Sequence, residues 1–258
     1  PLPLSELQTA LDTLEHQYAA LRHGLSGRQQ AFTSLHENET ERLKAILRLE
    51  ILHSPREERY DRISRLVGHT LDMPTALISI LTPDQQWVKS CHGEEIQPYF
   101  ERKWTLCDRV VTSKSNLVIE DVQATEMTEG NPVLEDLGFY AGVPLITSAG
   151  HAIGTLCVTD EIPRTFDEAG MQTLEDFARW IIAEIELTEQ KRASTRRQQT
   201  LESLYEITAL HAPFAEKLKR IQTVLREWIG YTHAIAFSVE NGFKTWSVDG
   251  DTALKWNE

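Results

Sequence analysis

Residues 104–111 read WTLCDRVV. Thr105 is of the type expected at a helix N-cap, and Asp108, three residues on, supplies the acceptor side chain of a capping box. This spacing places Cys107 in the first helical turn, beside backbone N–H groups without intrahelical partners, which favour a thiolate. Lys103 and Arg109 add positive charge nearby, and Asp108 opposes it. The chemistry such a position could support is that of a reactive, ligand-holding or redox-active thiol, although the residue type favours simple packing. The competing reading is a small apolar residue packed at a helix start.

The remaining candidate groups are sparser. Cys91, Cys107 and Cys157 are the three cysteines, an odd number without metal-ligand spacing. A disulfide framework or structural zinc site is not expected, and a reducing cytoplasm fits best. Cys91 and His92 are adjacent on a strand, so their side chains point to opposite faces and a shared metal is geometrically poor. Cys157, between Leu156 and Val158, reads as structural. His36, in SLHENETERL, reads as a helix-surface histidine rather than a phosphoacceptor. No Gly-rich phosphate loop or Ser-His-Asp arrangement stands out.

The elements that must position these groups follow from pattern. The chain has 258 residues, 41% hydrophobic and 25% charged, with a formal net charge of −13. That is enough for one large or two modest soluble domains. The negative balance argues against nucleic acid and against an anionic membrane surface. No run approaches the length of a membrane-spanning helix and no basic-then-apolar leader is expected from the opening residues, although Pro1 in place of Met suggests trimming or an excerpt.

Leu4, Leu7, Leu11, Leu14, Tyr18, Leu21 and Leu25 alternate spacings of three and four, the pattern of a coiled-coil seam. Gly24 and Gly27 interrupt it, and Phe32 and Leu35 resume its register. A second helix is expected from Glu41 to Leu52. A third starts at Ser54, with Pro55 at its first position and Glu57 completing a capping box. TALISIL (75–81), WVKSCHG (87–93), NLVIEDV (116–122), FYAGVPLI (139–146) and AIGTLCVTD (152–160) read as strands. TPDQQ and SAGH are turns between strand pairs, and EGNP (129–132) is a turn capping a short helix. TFDE (165–168) is a further capping box, launching a helix through Leu174, Phe177, Ala178, Ile181 and Ile185.

Helix, two strands, a long connection with a short helix, three strands and a long helix describe an α+β domain. Its antiparallel sheet is covered by helices on one face, and the other face is left for a cavity or partner. Residues 189–200, EQKRASTRRQQT, have almost no apolar residue but keep good helix formers, so they read as a solvated helical linker. KRIQTVLREWIGYTHAIAFSV (219–239) and KTWSVDG (244–250) repeat the pattern of SRLVGHTLDMPTALISIL and WVKSCHG, as in a tandem domain. The second copy stops after two strands and is expected to be cut short.

The stretch from Ile46 to Leu187 resembles a GAF domain of bacterial signal-transduction proteins. The likeness rests on LHSPREERYDRISRL, TALISILTPDQQWVKS, TLCDRVV, LVIEDV, NPVLEDLGFYAGVPL and GHAIGTLCVTD followed by FDEAGMQTLEDFA. Residues 201–258 resemble the start of a second such domain. The resemblance implies a GAF-like central antiparallel sheet, a small-molecule cavity or its vestige, and dimerisation through long signalling helices. It also implies an output domain further along, such as a diguanylate cyclase, a phosphodiesterase, a histidine kinase or a transcriptional activator. Where this type of GAF domain usually runs Ser-Phe-Cys-x-His, Cys107 matches the cysteine but Arg109 replaces the histidine. The Asn-Lys, Phe, Asp-Glu pattern of cyclic-nucleotide GAF domains and the Pro-x-Ser-Asp-Ile-Pro segment of phytochromes are not found. The clustered cysteines of free methionine sulfoxide reductase, an enzymatic relative, have no counterpart either. No cofactor is therefore assigned, whether bilin, cyclic nucleotide or metal.

The expected organisation is N-terminal coiled-coil helices (1–45), a GAF domain (46–187), a helical linker (188–208) and a partial second GAF-like domain (209–258). The cavity is expected between the sheet and the 96–115 and 122–138 connections. Trp87, Cys107, Arg109, Tyr140 and Thr155 are its candidate lining residues, with Arg109 the partner of an anionic ligand. The seam from Leu4 to Leu25, together with Ile181 and Ile185, is expected to form a homodimer interface. The chain is read as a cytoplasmic, non-enzymatic sensory module that relays a small molecule or partner through dimeric helices. The alternatives are a thiol-based redox sensor or reductase acting through Cys107, and a ligand-free dimerisation relay.

Overall fold

In a computed structural model of the chain, the residues described are 28–94, 96–209, 220–221, 223–224, 235–239 and 243–247. Leu4, Leu7, Leu11, Leu14, Tyr18, Leu21 and Leu25 lie outside them, as does most of 219–234. Helix α1 spans Arg28–Leu49 and contains the expected Glu41 segment. Helix α2 covers Glu58–Thr70, starting later than the Ser54 capping box predicts. The reason is tertiary. Ser54 Oγ donates to Ile51 O at 2.6 Å and accepts from Lys89 Nζ at 2.6 Å, so it is not free to cap.

Six strands form one sheet in the order β3-β2-β1-β6-β5-β4, every neighbouring pair antiparallel. They are β1 (Thr75–Leu81), β2 (Gln85–His92), β3 (Tyr99–Glu101), β4 (Leu117–Ile119), β5 (Phe139–Ile146) and β6 (Ala152–Asp160). The β5–β6 hairpin closes through Thr147 N–H to His151 O, with Gly150 at a φ of 83° that favours glycine. Between β3 and β4 lie a single 3-10 turn (Arg102–Trp104) and helix α3 (Leu106–Ser113).

Helix α4, Glu168–Ala209, is continuous for 42 residues, through the polar 189–200 segment. Its N-cap is Asp167, whose Oδ1 accepts the Gly170 N–H at 2.7 Å, rather than Thr165. A separate hairpin pairs β7 (Ile235–Val239) with β8 (Phe243–Ser247). None of the helices among the described residues is long and apolar enough to cross a membrane.

Strand alternation divides the core in two. On one face, Leu43 and Ile46 of α1, Tyr60, Ile63 and Val67 of α2, and Leu174, Ile181 and Ile185 of α4 pack on Ile78, Ile80, Phe139, Ala141, Val143, Leu156 and Val158. Each such fully buried aliphatic side chain contributes roughly 1.5–3 kcal/mol. On the opposite face, Leu106, Val110 and Val111 of α3 and Val122 and Leu134 of the following connection cover Leu81, Cys157 and Tyr140. This second layer is thinner. It leaves space over the sheet.

Candidate functional site

That space is a pocket of about 500 Å³ between the sheet, α3 and the 122–138 connection. Leu77, Ile96, Leu106, Val133, Leu134 and Leu137 supply its apolar wall, and Gln86, Thr105, Cys107, Tyr140 and Cys157 supply polar atoms. Glu94, Asp136, Asp160 and Glu161 line it as well, and no lysine or arginine does. The outer wall is pinned by side chains that bond backbone. Asn131 Nδ2 donates to Trp104 O at 2.9 Å, and Gln123 Nε2 donates to Leu134 O at 2.7 Å and Leu137 O at 2.8 Å. The EGNP turn is therefore an anchor for α3.

Cys107 sits at the floor, in the first turn of α3. The expected capping box is not formed: Thr105 Oγ1 donates back to Arg102 O at 3.0 Å, and Asp108 Oδ1 accepts Arg102 Nε at 2.6 Å. The helix does begin where the motif places it, immediately after Thr105. Cys107 Sγ lies 3.9 Å from Cys157 Sγ and accepts from Tyr140 Oη at 3.4 Å. Donation from Cys157 lowers the Cys107 pKa; burial opposes it, and the Thr155, Tyr140 and Gln86 side chains reinforce the lowering. Thr155 Oγ1 has no partner of hydrogen-bond geometry, so its influence is that of a nearby dipole. Cys157 moves the other way, pushed well up by its bond to Cys107 and by burial. Tyr140 is also pushed up, by burial first and then by the neighbouring sulfurs, so it keeps its proton and donates.

Glycine 142 makes this geometry possible. A Cβ there would stand 2.3 Å from Tyr140 Oη, so only glycine lets the phenol lie along the sheet towards Cys107. Gln86 is fixed from behind by Nε2 donating to Ser79 Oγ at 3.0 Å, which leaves its Oε1 buried without a partner. A buried acceptor of this kind costs about 1–3 kcal/mol until a donor meets it.

Three of the five lining candidates occur together at this place. Cys107 and Tyr140 line the pocket, and Thr155 lies buried beside Cys107. Trp87 does not. It packs in the helix-side core, its ring 5.7 Å from that of His53. The cause is a β-bulge: Ile78 pairs with Ser90 and Ser79 with Val88, so Lys89 is the extra residue. A bulge reverses the alternation beyond it, and Trp87 emerges on the face opposite Cys91. Arg109 is exposed on α3, whose buried positions are Leu106, Cys107, Val110 and Val111. Two residues along a helix is more than half a turn, so Arg109 faces away from the pocket and offers no anion site there.

Ile181 and Ile185 are likewise corrected: both are fully buried in the core of their own domain, which takes them from the surface a dimer would use. Sequence reasoning missed Gln86 and Cys157. Cys157 carried no local signal, because its significance comes from a contact with a residue 50 positions away. Among the described residues, no group of three or more His, Cys, Asp or Glu side chains is placed to hold a metal ion.

An ion network braces the pocket's outer helix. Arg102 Nη1 donates to Glu39 Oε1 at 2.8 Å and to Thr82 O at 3.0 Å, while Arg42 Nη1 donates to Leu81 O at 2.6 Å and Nη2 to Glu39 at 2.6 Å. Burial works to raise the Glu39 pKa, but the two arginines outweigh it and hold the carboxyl at about 2.

The description "GAF domain" belongs to a family model that matches residues 55–185. A cyclic di-GMP phosphodiesterase of Pseudomonas aeruginosa is 31% identical over 153 residues, covering 58% of this chain and 26% of that protein. The chain thus spans about a quarter of the length of the curated relative it matches. Among solved structures, a bacteriophytochrome from the photosynthetic bacterium R. palustris is 12% identical, with a TM-score of 0.51, covering 89% of this chain and 52% of that one. The GAF domain of an Acinetobacter phosphoenolpyruvate-protein phosphotransferase is 17% identical, with a TM-score of 0.45, covering 63% and 95%. At 12% identity the likeness to the bacteriophytochrome is one of fold.

Proposed function

Because this chain belongs to the GAF domain family, we propose that it is the sensory module of a bacterial signalling protein, taking a small molecule into the pocket over its sheet. The observation that carries this reading is a pocket of about 500 Å³, the size of a small organic ligand site, with Gln86, whose Oε1 is buried without a partner, among its lining residues. Gln86 asks for a hydrogen-bond donor. The pocket lining holds four acidic residues and no basic one, and with Asp160 already paired to Arg164 the remaining balance still favours a cation and opposes phosphates and carboxylates. The ligand class is therefore a neutral or positively charged, partly apolar compound bearing an N–H or O–H donor.

The signal leaves through helices. On α4, Trp180 and Leu187 are large exposed apolar residues one heptad apart. They support a homodimer along this helix and replace Ile181 and Ile185 as its contacts. A ligand that binds two packings of such a bundle unequally shifts their populations and reaches an output domain without chemistry in this chain. The phosphodiesterase relative supports cyclic dinucleotide turnover as one such output for a longer protein.

The test is binding of one aromatic body in three charge states: phenethylamine, phenethyl alcohol and phenylacetate, read by calorimetry on the parent, Gln86→Leu and Asp136→Asn. The amine is expected to bind tightest, the carboxylate not at all, and each substitution to weaken the amine several-fold. Preference for phenylacetate, or indifference of the amine to both substitutions, overturns the reading.

A further inference from the structure

Two thiols share the floor of the pocket, and the ligand reading has no use for them. We propose that Cys107 and Cys157 are an oxidisable dithiol that closes to a disulfide on exposure to a hydroperoxide, tying helix α3 to the central strand β6. The inference rests on the pocket being open to small solutes and is independent of which ligand it holds.

The geometry carries it. The sulfurs are 3.9 Å apart, and a disulfide needs about 2.05 Å, so each must move by roughly 1 Å, within the reach of a side-chain rotation. Both cysteines are free thiols, and both line the same pocket. Cys107 is 3% and Cys157 1% exposed, so a solute reaches them through the pocket mouth and not from the outer surface. A hydroperoxide fits; a protein thiol does not.

Cys91 is not a competitor. It pairs with Leu77, which in turn pairs with Cys157 on the other side, so two strand spacings of about 4.8 Å separate the two cysteines. Its Sγ is also directed at the carbonyls of His92 and Glu94.

The two sulfurs are unequal in the sense the reaction needs. Cys107 gives up its proton first, with Tyr140 donating to its sulfur, and Cys157 holds its proton. In the first step the Cys107 thiolate attacks a peroxide oxygen. An S–O bond forms, the O–O bond breaks, and the departing oxide takes a proton to leave as water or alcohol. Cys107 is now a sulfenic acid. Cys157 then attacks that sulfur: the S–S bond forms, the S–O bond breaks, and hydroxide leaves with the Cys157 proton as water. With hydrogen peroxide, two thiols and one peroxide give one disulfide and two waters, the two electrons passing from sulfur to peroxide oxygen.

The experiment treats the reduced full chain with hydrogen peroxide, unfolds it in iodoacetamide and measures intact mass and cross-linked peptides. The expected product has lost two hydrogens, carries one alkyl group at Cys91 and yields a peptide linking Cys107 to Cys157. Cys91→Ser should oxidise at the parental rate, whereas Cys157→Ser should stop at a Cys107 sulfenic acid that dimedone traps. Cross-links through Cys91, direct passage of parental Cys107 to sulfinic acid, or unchanged Cys107 at peroxide levels that oxidise Cys91 each overturn the proposal. Scoring is done without any ligand. If the amine series binds while the disulfide fails to form, the dithiol falls and the ligand reading stands; if the disulfide forms and no amine binds, the reverse holds.

Discussion

Arg102 Nε donates to Asp108 Oδ1 at 2.6 Å while the same guanidinium reaches Glu39 Oε1 at 2.8 Å. One side chain therefore joins α1, which packs on the helical face of the sheet, to α3, which walls the pocket on the other face. It crosses from one layer to the other around the end of β1. Arg102→Met should cost about 2–3 kcal/mol in denaturant unfolding, because Glu39 and Asp108 each lose a charged partner. Hydrogen exchange should quicken in the α3 amides before it quickens in the sheet.

Acid should act through Glu39. Its pKa is depressed from 4.5 to about 2 in the fold, so its contribution is complete above about pH 4.5 and is lost as pH falls towards 2. The shift corresponds to about 3 kcal/mol as an upper figure. Glu39→Gln should lower stability near neutrality, and its deficit relative to the parent should shrink between about pH 5 and about pH 2 in urea titrations. A deficit constant over that interval would assign the residue a packing role instead.

Lys89 is the charged residue that the bulge turns inward. Its Nζ donates to Ser54 Oγ, Pro55 O at 2.7 Å and Glu57 Oε1 at 2.8 Å, with the side chain fully buried over the Tyr60 ring. Lys89→Ala should destabilise by about 2–4 kcal/mol, through lost packing and a freed 53–57 loop. Lys89→Met, which keeps the stem, should recover part of this in thermal unfolding.

Gly154 lies where β6 passes β1, and a Cβ there would stand 1.9 Å from Ser79 O. The obstacle is backbone in the middle of the sheet, so it cannot swing aside. Gly154→Ala should cost about 3 kcal/mol or more, measured by chemical denaturation.

Tyr140→Phe removes a donor from Cys107, and Gly142→Ala displaces the same phenol by occupying its place. Both should raise the Cys107 pKa. The pH profile of Cys107 alkylation by iodoacetamide in the folded protein should move upward in each variant, with the profile of Cys91 unchanged.

The sequence states the fold more fully than the site, and particular residues show why. Strands β5 and β6 run between the residues their alternation and flanking turns predict, because both faces of each are packed. Strand β3 escapes such reading: three residues at a sheet edge carry too little pattern. Ser54 has every local mark of an N-cap and is diverted by Lys89, a residue 35 positions on. In the pocket, Tyr140 is placed by simple alternation, and Arg109 is excluded by helical periodicity alone. Trp87 is misplaced because a single-residue bulge has no sequence signature that outweighs regular pairing. The Cys107–Cys157 approach is purely tertiary and could not be read from either segment.

The two outermost strands of the six-stranded sheet, Tyr99–Glu101 and Leu117–Ile119, are three residues each. Rims this short give a neighbouring strand few residues to pair with in one continuous run, which makes the sheet a poor seed for a long intermolecular ribbon. A dimer of the kind proposed along α4 would accordingly be held by helix side chains, where a change of pitch or rotation can be felt, and not by the backbone of the sheet, where it would be locked.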